Sequence, residues 1–372
     1  MRTATAAVSA GAGYRFDRAP RMIYWEMTRA CDLACRHCRA EAVAQRDPLE
    51  LTTDEAVALL RTLLDFGHPL PHLVCTGGDP LKRPDLLEIV RTGTAMGLGV
   101  SLAPSATASL TREMIVALQA AGMQSISLSL DGSTAARHDR FRGVEGTFET
   151  TLRAARWIRQ AEIPLQLNTL VTAETAPDLP ALYDLACSLG IMRWSLFFLV
   201  PVGRGRTLPE LTPEQAEDVM RWLAARSAEA PFAIAATEAP HFRRVALAEA
   251  QARGLTAQAV RQGPIGRGFG VRDGNGVMFI SHRGDVTPAG FLPVITGNVR
   301  DRSVVELYRS HEVFVALRDP ARLRGKCGVC EFRELCGGSR ARAFAHFGDY
   351  LASDPLCAYI PRGWRDEVPA PI

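Results

Sequence analysis

The chain has 372 residues, of which 47% are hydrophobic and 22% are charged, and its formal net charge is +3. This length predicts roughly two domains. The mild charge, without basic runs interleaved with aromatic residues, argues against a nucleic-acid partner. No apolar run reaches the ~18 residues that a membrane span needs, and the N-terminal segment has no signal-peptide core. We therefore expect neither a nucleic-acid nor a membrane partner.

Short β-rich runs alternate with helical patterns from residue 22 to residue 200. The predicted strands are Met22–Thr28, His72–Thr76, Gly99–Leu102, Ser125–Leu130, Leu165–Val171 and Arg193–Val200. The predicted helices are about Thr53–Phe66, Pro84–Met96, Thr111–Ala121, Phe148–Gln160 and Asp178–Leu189. Strict alternation predicts a parallel sheet with right-handed crossovers and functional loops at the carboxyl ends of its strands. The predicted fold class is therefore α/β, a partial (β/α)6 barrel of the TIM type.

The pattern changes after Pro201, which predicts further units. We expect a mobile N-terminal tail over 1–20, the barrel over 21–230, and a helical linker with a Gly-rich boundary over 231–276. Residues 277–372 would form a small C-terminal α+β domain. In it we expect a hairpin of Val277–Ile280 and Asp285–Thr287, followed by a helix near Ser303–Leu317.

Nine cysteines are the most informative residues of the chain. They stand at positions 31, 35, 38, 75, 187, 327, 330, 336 and 357. Cys75 and Cys187 stand alone and are expected to pack as small buried residues. The others form two clusters, which in a protein with reduced thiols indicates metal binding rather than disulfides. This use of cysteine predicts a cytoplasmic location.

The first cluster, Cys31-x3-Cys35-x2-Cys38, supplies three thiolates. Three thiolates on a 4Fe–4S cubane leave one iron with an open position, which could chelate the amino and carboxylate groups of S-adenosylmethionine. A zinc site is the main alternative, but structural zinc binds four ligands. His37 lies inside the loop, where the cubane spacing already explains the three cysteines. A small ferredoxin-like carrier is a poorer match because its spacing is Cys-x2-Cys-x2-Cys.

With these motifs the chain resembles the radical S-adenosylmethionine superfamily. The cysteine loop Cys31–Cys38 follows the first strand, and Gly77-Gly78-Asp79-Pro80 follows the second. The latter resembles the family's Gly-Gly-Glu-Pro element, with Asp79 in place of Glu. The resemblance implies reductive cleavage of S-adenosylmethionine to a 5′-deoxyadenosyl radical, which abstracts hydrogen from a substrate.

The same resemblance implies contacts with S-adenosylmethionine. Gly77–Pro80 would hold its amino group, and His37 would pack near the adenine. Ser129, Asn168 and Arg142 would lie near its carboxylate or ribose, although Ser129 and Asn168 could equally be satisfied polar groups of the core. The electron donor would be a low-potential flavodoxin or ferredoxin.

The second cluster contains Cys327, Cys330, Cys336 and Cys357. It resembles the auxiliary iron–sulfur domains known as SPASM and twitch. Ala289 and Arg340 stand where a seven-cysteine SPASM domain would have two further cysteines, so we expect one auxiliary 4Fe–4S cluster and not two. A four-cysteine zinc site has the same spacing and remains the alternative.

Two segments indicate a substrate class. Phe197–Gly205 and Cys336–Ala343 resemble segments of enzymes that modify tetrapyrrole propionate side chains in haem biosynthesis. Because guanidinium groups bind carboxylates, the candidate substrate residues are Arg204, Arg206, Arg340 and Arg342. The alternatives are a ribosomal peptide maturase, which shares this two-part architecture, and a non-enzymatic iron–sulfur electron-transfer protein.

Overall fold

The computed structural model describes residues 15–262 and 266–365, and one ten-stranded sheet runs through them. The strands are β1 Met22–Thr28, β2 His72–Gly77, β3 Val100–Leu102, β4 Ser125–Ser129, β5 Leu165–Val171, β6 Arg193–Phe198, β7 Ala233–Thr237, β8 Val277–Ile280, β9 Asp285–Thr287 and β10 Gly297–Asn298.

Helices connect most of these strands. They are α1 Thr53–Leu64, α2 Leu86–Ala95, α3 Arg112–Ala120, α4 Ala135–Arg142, α5 Thr147–Gln160, α6 Leu179–Leu189, α7 Pro213–Ser227, α8 Phe242–Ala252, α9 Ala257–Gln262, α10 Val304–Ser310, α11 Glu312–Arg318, α12 Gly325–Gly328 and α13 Arg340–Phe347.

The strand order is β10-β9-β8-β1-β2-β3-β4-β5-β6-β7. Strands β1 to β7 are parallel neighbours, and β8 pairs in parallel with the other side of β1. Strands β9 and β10 continue that side in antiparallel pairing. The sheet has two free edges, β7 and β10, within the described ranges, so it does not close. The predicted α/β class with a partial barrel is confirmed.

Alternation along the strands gives the sheet two different faces. In β5, Leu165 and Leu167 are buried in the main hydrophobic core together with helix residues, whereas Gln166 and Asn168 between them are partly exposed. Successive strand residues point to opposite faces, so the polar residues lie on the face away from the helices. The polar residues of β5 therefore lie on the face of the sheet that is open to a polar ligand.

The structure differs from the sequence expectations in three places. Residues 231–276, expected to be a helical linker, contain strand β7 before α8 and α9. The helix expected near Ser303–Leu317 divides into α10 and α11, because His311 between them has an extended backbone conformation (ψ 134°). Arg15 to Pro20 of the expected tail contact the C-terminal part: the Tyr308 hydroxyl donates to the Phe16 carbonyl over 2.7 Å. Residues 1–14 lie outside the described residues.

No helix within the described ranges has both the length and the hydropathy needed to cross a bilayer.

Candidate active site

The first cysteine loop begins directly after β1 and is held by backbone contacts. The Cys31 N–H donates to the Val43 carbonyl over 2.8 Å, and Cys31 and Cys35 are buried in one apolar cluster, against which Cys38 packs. Backbone N–H groups donate to two of the sulfurs, from Leu33 to Cys31 Sγ over 3.3 Å and from Ala42 to Cys38 Sγ over 3.4 Å. Such donors stabilise a thiolate, which is the form that binds iron.

The chemistry of this donor set suits an iron–sulfur cluster. Burial raises the pKa of the Cys31 and Cys35 thiols, so uptake of a cluster by these residues would release protons. No three His, Cys, Asp or Glu side chains of the described residues converge on a point that a single metal ion could occupy. A cubane separates its cysteine ligands with its own iron and sulfide atoms, so three spread thiolates fit it better than they fit one ion.

The Gly77–Pro80 loop lies against the backbone that leads into the cysteine loop. The Gly78 N–H donates to the Thr28 carbonyl over 2.8 Å, and the Asp79 N–H donates to the Ala30 carbonyl over 2.7 Å. A Cβ atom on Gly77 would lie 2.2 Å from the Thr28 oxygen, and one on Gly78 would lie 2.4 Å from the Ala30 oxygen. Both glycines are therefore required by the close approach of two backbone segments.

The Asp79 carboxylate is fully buried and points into the loop itself. It accepts hydrogen bonds from the Thr107 hydroxyl over 2.8 Å and from the Leu81 N–H over 3.2 Å. Burial raises the pKa of Asp79 despite these donors. The structure therefore gives Asp79 a role in shaping the loop, and the contact with S-adenosylmethionine stays a prediction.

Ser105, which the sequence did not identify as a site residue, connects the two loops. Its hydroxyl donates to the Gly78 carbonyl over 2.9 Å and lies 3.3 Å from Cys31 Sγ. Ser105 follows β3, so the carboxyl ends of three neighbouring strands meet at this point. Its position after a strand of a parallel sheet is the signal that could have found it.

A buried ionic group lies beside the cysteine loop. Arg142 Nε donates to Asp131 Oδ2 over 3.2 Å, and His37 Nε2 lies 3.8 Å from the same oxygen. Burial alone would raise the pKa of Asp131, but the Arg142 guanidinium lowers it below its usual value. Burial lowers the pKa of His37 to about 4, and its ring stacks on Phe141 at 5.1 Å. The structure thus brings His37 and Arg142 together, with Arg142 already paired to a carboxylate.

Ser129 and Asn168 are neighbours on the polar face of the sheet. They are direct partners in the pairing of β4 with β5. The Asn168 side-chain oxygen accepts a hydrogen bond from Gln166 Nε2 over 2.8 Å. Both residues are partly exposed, so their side chains remain available to a ligand on this face of the sheet.

The four C-terminal cysteines line one cavity. The other lining residues are His241, Arg244, Lys326, Phe332, Arg333, Gly337, Gly338, Asp354, Tyr359 and Pro361. Burial raises the pKa of the Cys330, Cys336 and Cys357 thiols, in the case of Cys357 to about 11. A tetrahedral zinc ion would draw four sulfurs to about 2.3 Å from itself. The four cysteines do not converge on a point that one metal ion could occupy, so a larger group suits them better.

The two positions that lack SPASM cysteines have other structural roles. Ala289 is buried in an apolar cluster with Leu292 and Leu317. Arg340 is fully buried, and its guanidinium donates to the carbonyls of Tyr350 and Ala352. Both positions are therefore filled by side chains that do not bind iron.

Three of the four arginines expected to face substrate make hydrogen bonds within the protein. Arg204 donates to the carbonyls of Cys35 and Ala42 and so holds the first cysteine loop. Arg340 holds backbone carbonyls as described above. Arg342 donates to the Leu199 carbonyl over 3.0 Å and pairs with Asp354 over 3.2 Å. The buried Arg340 and Arg342 guanidinium groups are therefore occupied by the protein itself, whereas Arg204 keeps one nitrogen, Nη2, without a partner among the described residues and Arg206 is exposed, so these two stay predictions.

Comparison with known proteins gives consistent matches over most of the chain. A family model described as the radical SAM superfamily matches residues 25–186. The AdoMet-dependent heme synthase of Methanosarcina barkeri is 41% identical, over 92% of this chain and 97% of its own length. The PqqA peptide cyclase of Rhodopseudomonas palustris is 32% identical, over 92% of this chain and 88% of its own length. The crystal structure of Streptococcus suis SuiB bound to S-adenosylmethionine has the same fold, with a TM-score of 0.70, 16% identity, and coverage of 92% of this chain and 78% of that one.

Proposed function

Because this chain belongs to the radical SAM superfamily, we propose that it forms haem by oxidising propionate side chains of an iron-containing tetrapyrrole. The chain is a radical SAM enzyme, and the substrate is the proposed part. The observation that carries this proposal is the 41% identity to a heme synthase along nearly the whole of both chains. A propionate that loses one hydrogen atom to the 5′-deoxyadenosyl radical, one electron to an oxidised iron–sulfur cluster, and carbon dioxide becomes a vinyl group. Haem has vinyl groups at two positions where an iron coproporphyrin has propionates.

We assign Cys31, Cys35 and Cys38 as ligands of the 4Fe–4S cluster that binds S-adenosylmethionine. When bound, this cluster supplies the electron that cleaves S-adenosylmethionine to the hydrogen-abstracting 5′-deoxyadenosyl radical. Gly77–Pro80, His37, Ser129, Asn168 and Arg142 are the proposed contacts of S-adenosylmethionine. Asp131 would keep Arg142 in place by the buried ion pair, and Arg204 would keep the cysteine loop closed against the sheet.

We assign one auxiliary 4Fe–4S cluster to Cys327, Cys330, Cys336 and Cys357. The four cysteines line one cavity without converging on a point that one metal ion could occupy, which supports a group larger than one zinc ion. The need for low-potential electrons supports a flavodoxin- or ferredoxin-type donor and a cytoplasmic location.

The test is to incubate the anaerobically reconstituted, dithionite-reduced enzyme with S-adenosylmethionine and iron coproporphyrin III. We expect 5′-deoxyadenosine together with haem, both identified by chromatography and mass spectrometry. Cys35→Ala should abolish both products, whereas Cys187→Ala, which changes a cysteine outside both clusters, should retain them. If 5′-deoxyadenosine forms but the tetrapyrrole is unchanged, the substrate proposal is wrong.

Peptide maturation is the second candidate, favoured by the 32% identity to a peptide cyclase over most of both chains. It predicts that a short precursor peptide encoded beside this gene gains a new intramolecular bond in the same assay. Formation of this peptide product without formation of haem would support peptide maturation as the function.

A further inference from the structure

His241 is a buried histidine that lines the cavity of the four C-terminal cysteines. Its side chain is 1% exposed, and neither ring nitrogen has a hydrogen-bond partner among the described residues. The nearest carboxylate oxygen, Asp354 Oδ2, lies 3.7 Å from Nδ1, which is beyond hydrogen-bond length. That carboxylate already accepts from the Ser339 N–H over 2.8 Å and from Arg342.

A neutral imidazole always carries one N–H, and a buried N–H without an acceptor is costly. Because the described protein atoms offer His241 no acceptor, the acceptor must belong to the group that fills the cavity. The cavity is lined by four cysteine sulfurs, so the acceptor chemistry available there is sulfur.

Cationic groups surround the same cavity. Arg244 lies three residues after His241, so both side chains project from one face at the start of α8. The Arg244 Nε atom is also buried without a partner, and its guanidinium lies 4.7 Å from the centre of the Tyr359 ring. Arg340 Nη2 donates to Cys327 Sγ over 3.7 Å. Because Arg244 Nη2 already pairs with Glu217, Arg340 is the group that would mainly offset the negative charge that a cluster gains when it is reduced.

We propose that His241 donates its ring N–H to a sulfur of the auxiliary cluster and thereby raises the reduction potential of that cluster. The inference rests on the proposed function, because it requires a cluster on Cys327, Cys330, Cys336 and Cys357. Hydrogen bonds to cluster sulfurs favour the reduced, more negative state. His241 is therefore a positioning residue that acts through the cluster.

The test uses the full chain with Cys31→Ala, Cys35→Ala and Cys38→Ala, so that only the auxiliary cluster contributes. The protein is reconstituted anaerobically, its iron and sulfide are measured, and its midpoint potential is determined by EPR-monitored titration. His241→Leu, which removes the donor, should favour the oxidised cluster about ten-fold, a fall of about 59 mV for one electron. His241→Gln, which keeps a neutral N–H donor, should have a midpoint potential close to that of the protein with His241.

His346→Leu is the matched control, because His346 lies on α13 of the same region, bonded to Glu210 and away from the cavity. It should leave the potential unchanged. An unchanged potential in His241→Leu at full iron content would overturn the inference while leaving the cluster assignment intact. Loss of iron from both His241 variants would also overturn it, since a ligand and not a donor would then be missing. Zinc in place of about four irons in the parent protein would refute the cluster assignment itself.

Discussion

The first site depends on close contacts between backbone segments more than on long side chains. Gly77 and Gly78 lie against the carbonyls of Thr28 and Ala30, and the Ser105 hydroxyl lies between Gly78 and Cys31. The loop proposed to hold the amino group of S-adenosylmethionine is thus fixed to the loop proposed to hold the iron. Any displacement of one loop moves the other.

Gly78→Ala tests this coupling. The added Cβ would lie 2.4 Å from the Ala30 oxygen and 2.6 Å from the Arg29 oxygen, so the two loops must separate. We expect a loss of about 1–3 kcal/mol in the free energy of unfolding. We also expect about 100-fold slower formation of 5′-deoxyadenosine, because misplacement of reacting groups by about 1 Å has this effect. Gly363→Ala, whose Cβ would have its nearest contacts at 3.8 Å, should behave as wild type. Equal rates in the two variants would contradict the coupling.

A pair of carboxyl groups, the half-buried Glu238 and the buried Asp273, lies between β7 and α13. The Ser339 hydroxyl donates to Glu238 over 2.6 Å, and the backbone N–H groups of Arg340 and Ala341 donate to Asp273. Burial, and then the neighbouring Asp273, raise the pKa of Glu238 well above its ordinary 4.5. Glu238 is therefore the member of the pair that loses its proton at the higher pH.

Glu238→Gln should become increasingly more stable than wild type as pH rises above about 4.5. Below that pH Glu238 is neutral in both the folded and the unfolded chain, whereas above it the unfolded chain ionises first and wild type loses stability. Urea unfolding from pH 4.5 to 8 measures the trend. Glu113→Gln should behave differently, because the Glu113 backbone N–H and the Thr111 hydroxyl lower the pKa of Glu113: its difference from wild type should stay constant from pH 4.5 to 8, and wild type should lose stability relative to this variant only as pH falls below about 4.5. A pH-independent difference for Glu238→Gln would refute the assignment.

The end of β6 and the second cysteine cluster are joined by one ion pair. Arg342 and Asp354 both have 0% exposed side chains, and the Arg342 guanidinium also donates to the carbonyls of Phe198 and Leu199. Asp354 lines the cysteine cavity and accepts the Ser339 N–H that precedes α13. Buried groups that water does not reach therefore fix the cysteine cavity to the end of β6.

Arg342→Met should lower the free energy of unfolding by about 3–5 kcal/mol, because it leaves the Asp354 charge buried and unpaired. Arg324→Met removes a pair with Asp349 of similar length, but the Arg324 side chain is 68% exposed. The second variant should lose no more than about 1 kcal/mol. Urea unfolding of both variants makes the comparison. Similar losses in the two would show that burial is not the deciding factor.

Sequence patterns predicted those elements in which composition and tertiary environment agree. The bounds of β1 and β5 were predicted residue by residue, since their apolar residues alternate with polar or partly exposed ones. Strand β7 was missed because Ala233-Ile234-Ala235-Ala236 favours a helix locally, and only pairing with β6 makes it a strand. The contacts of the buried arginines Arg340 and Arg342 could not be predicted, for another reason. A guanidinium that binds backbone carbonyls and one that binds a substrate look the same in a sequence.

At the scale of the whole molecule, the sheet unites the predicted barrel with the C-terminal part. β8 pairs with β1 over Met22 to Trp25, and Met278, Val286 and Tyr308 belong to the same core as the barrel helices. A buried ionic chain runs alongside, from Arg39 to Glu26 over 2.6 Å and from Glu26 to His282 over 2.8 Å. It links the first cysteine loop to the β8–β9 hairpin.

We therefore expect β1 and β8 to open together. In native-state hydrogen exchange, peptides covering Met22–Thr28 and Val277–Ile280 should show the same free energy of opening, because neither strand can lose its partner alone. A peptide covering α9, on the side of β7, serves as the comparison and should exchange independently of both. Much faster exchange of β8 than of β1 would show that the C-terminal part opens separately.

The central position of β1 also determines when the first site can be completed during synthesis. β1 leaves the ribosome among the first elements, and its neighbour β2 follows within the next fifty residues or so, but β8 is made only in the last third of the chain. Until then the strand that leads into Cys31, Cys35 and Cys38 has one unpaired edge, and such edges promote aggregation of nascent chains. We therefore expect the cluster proposed for the first cysteine loop to be inserted only after β8 has been made.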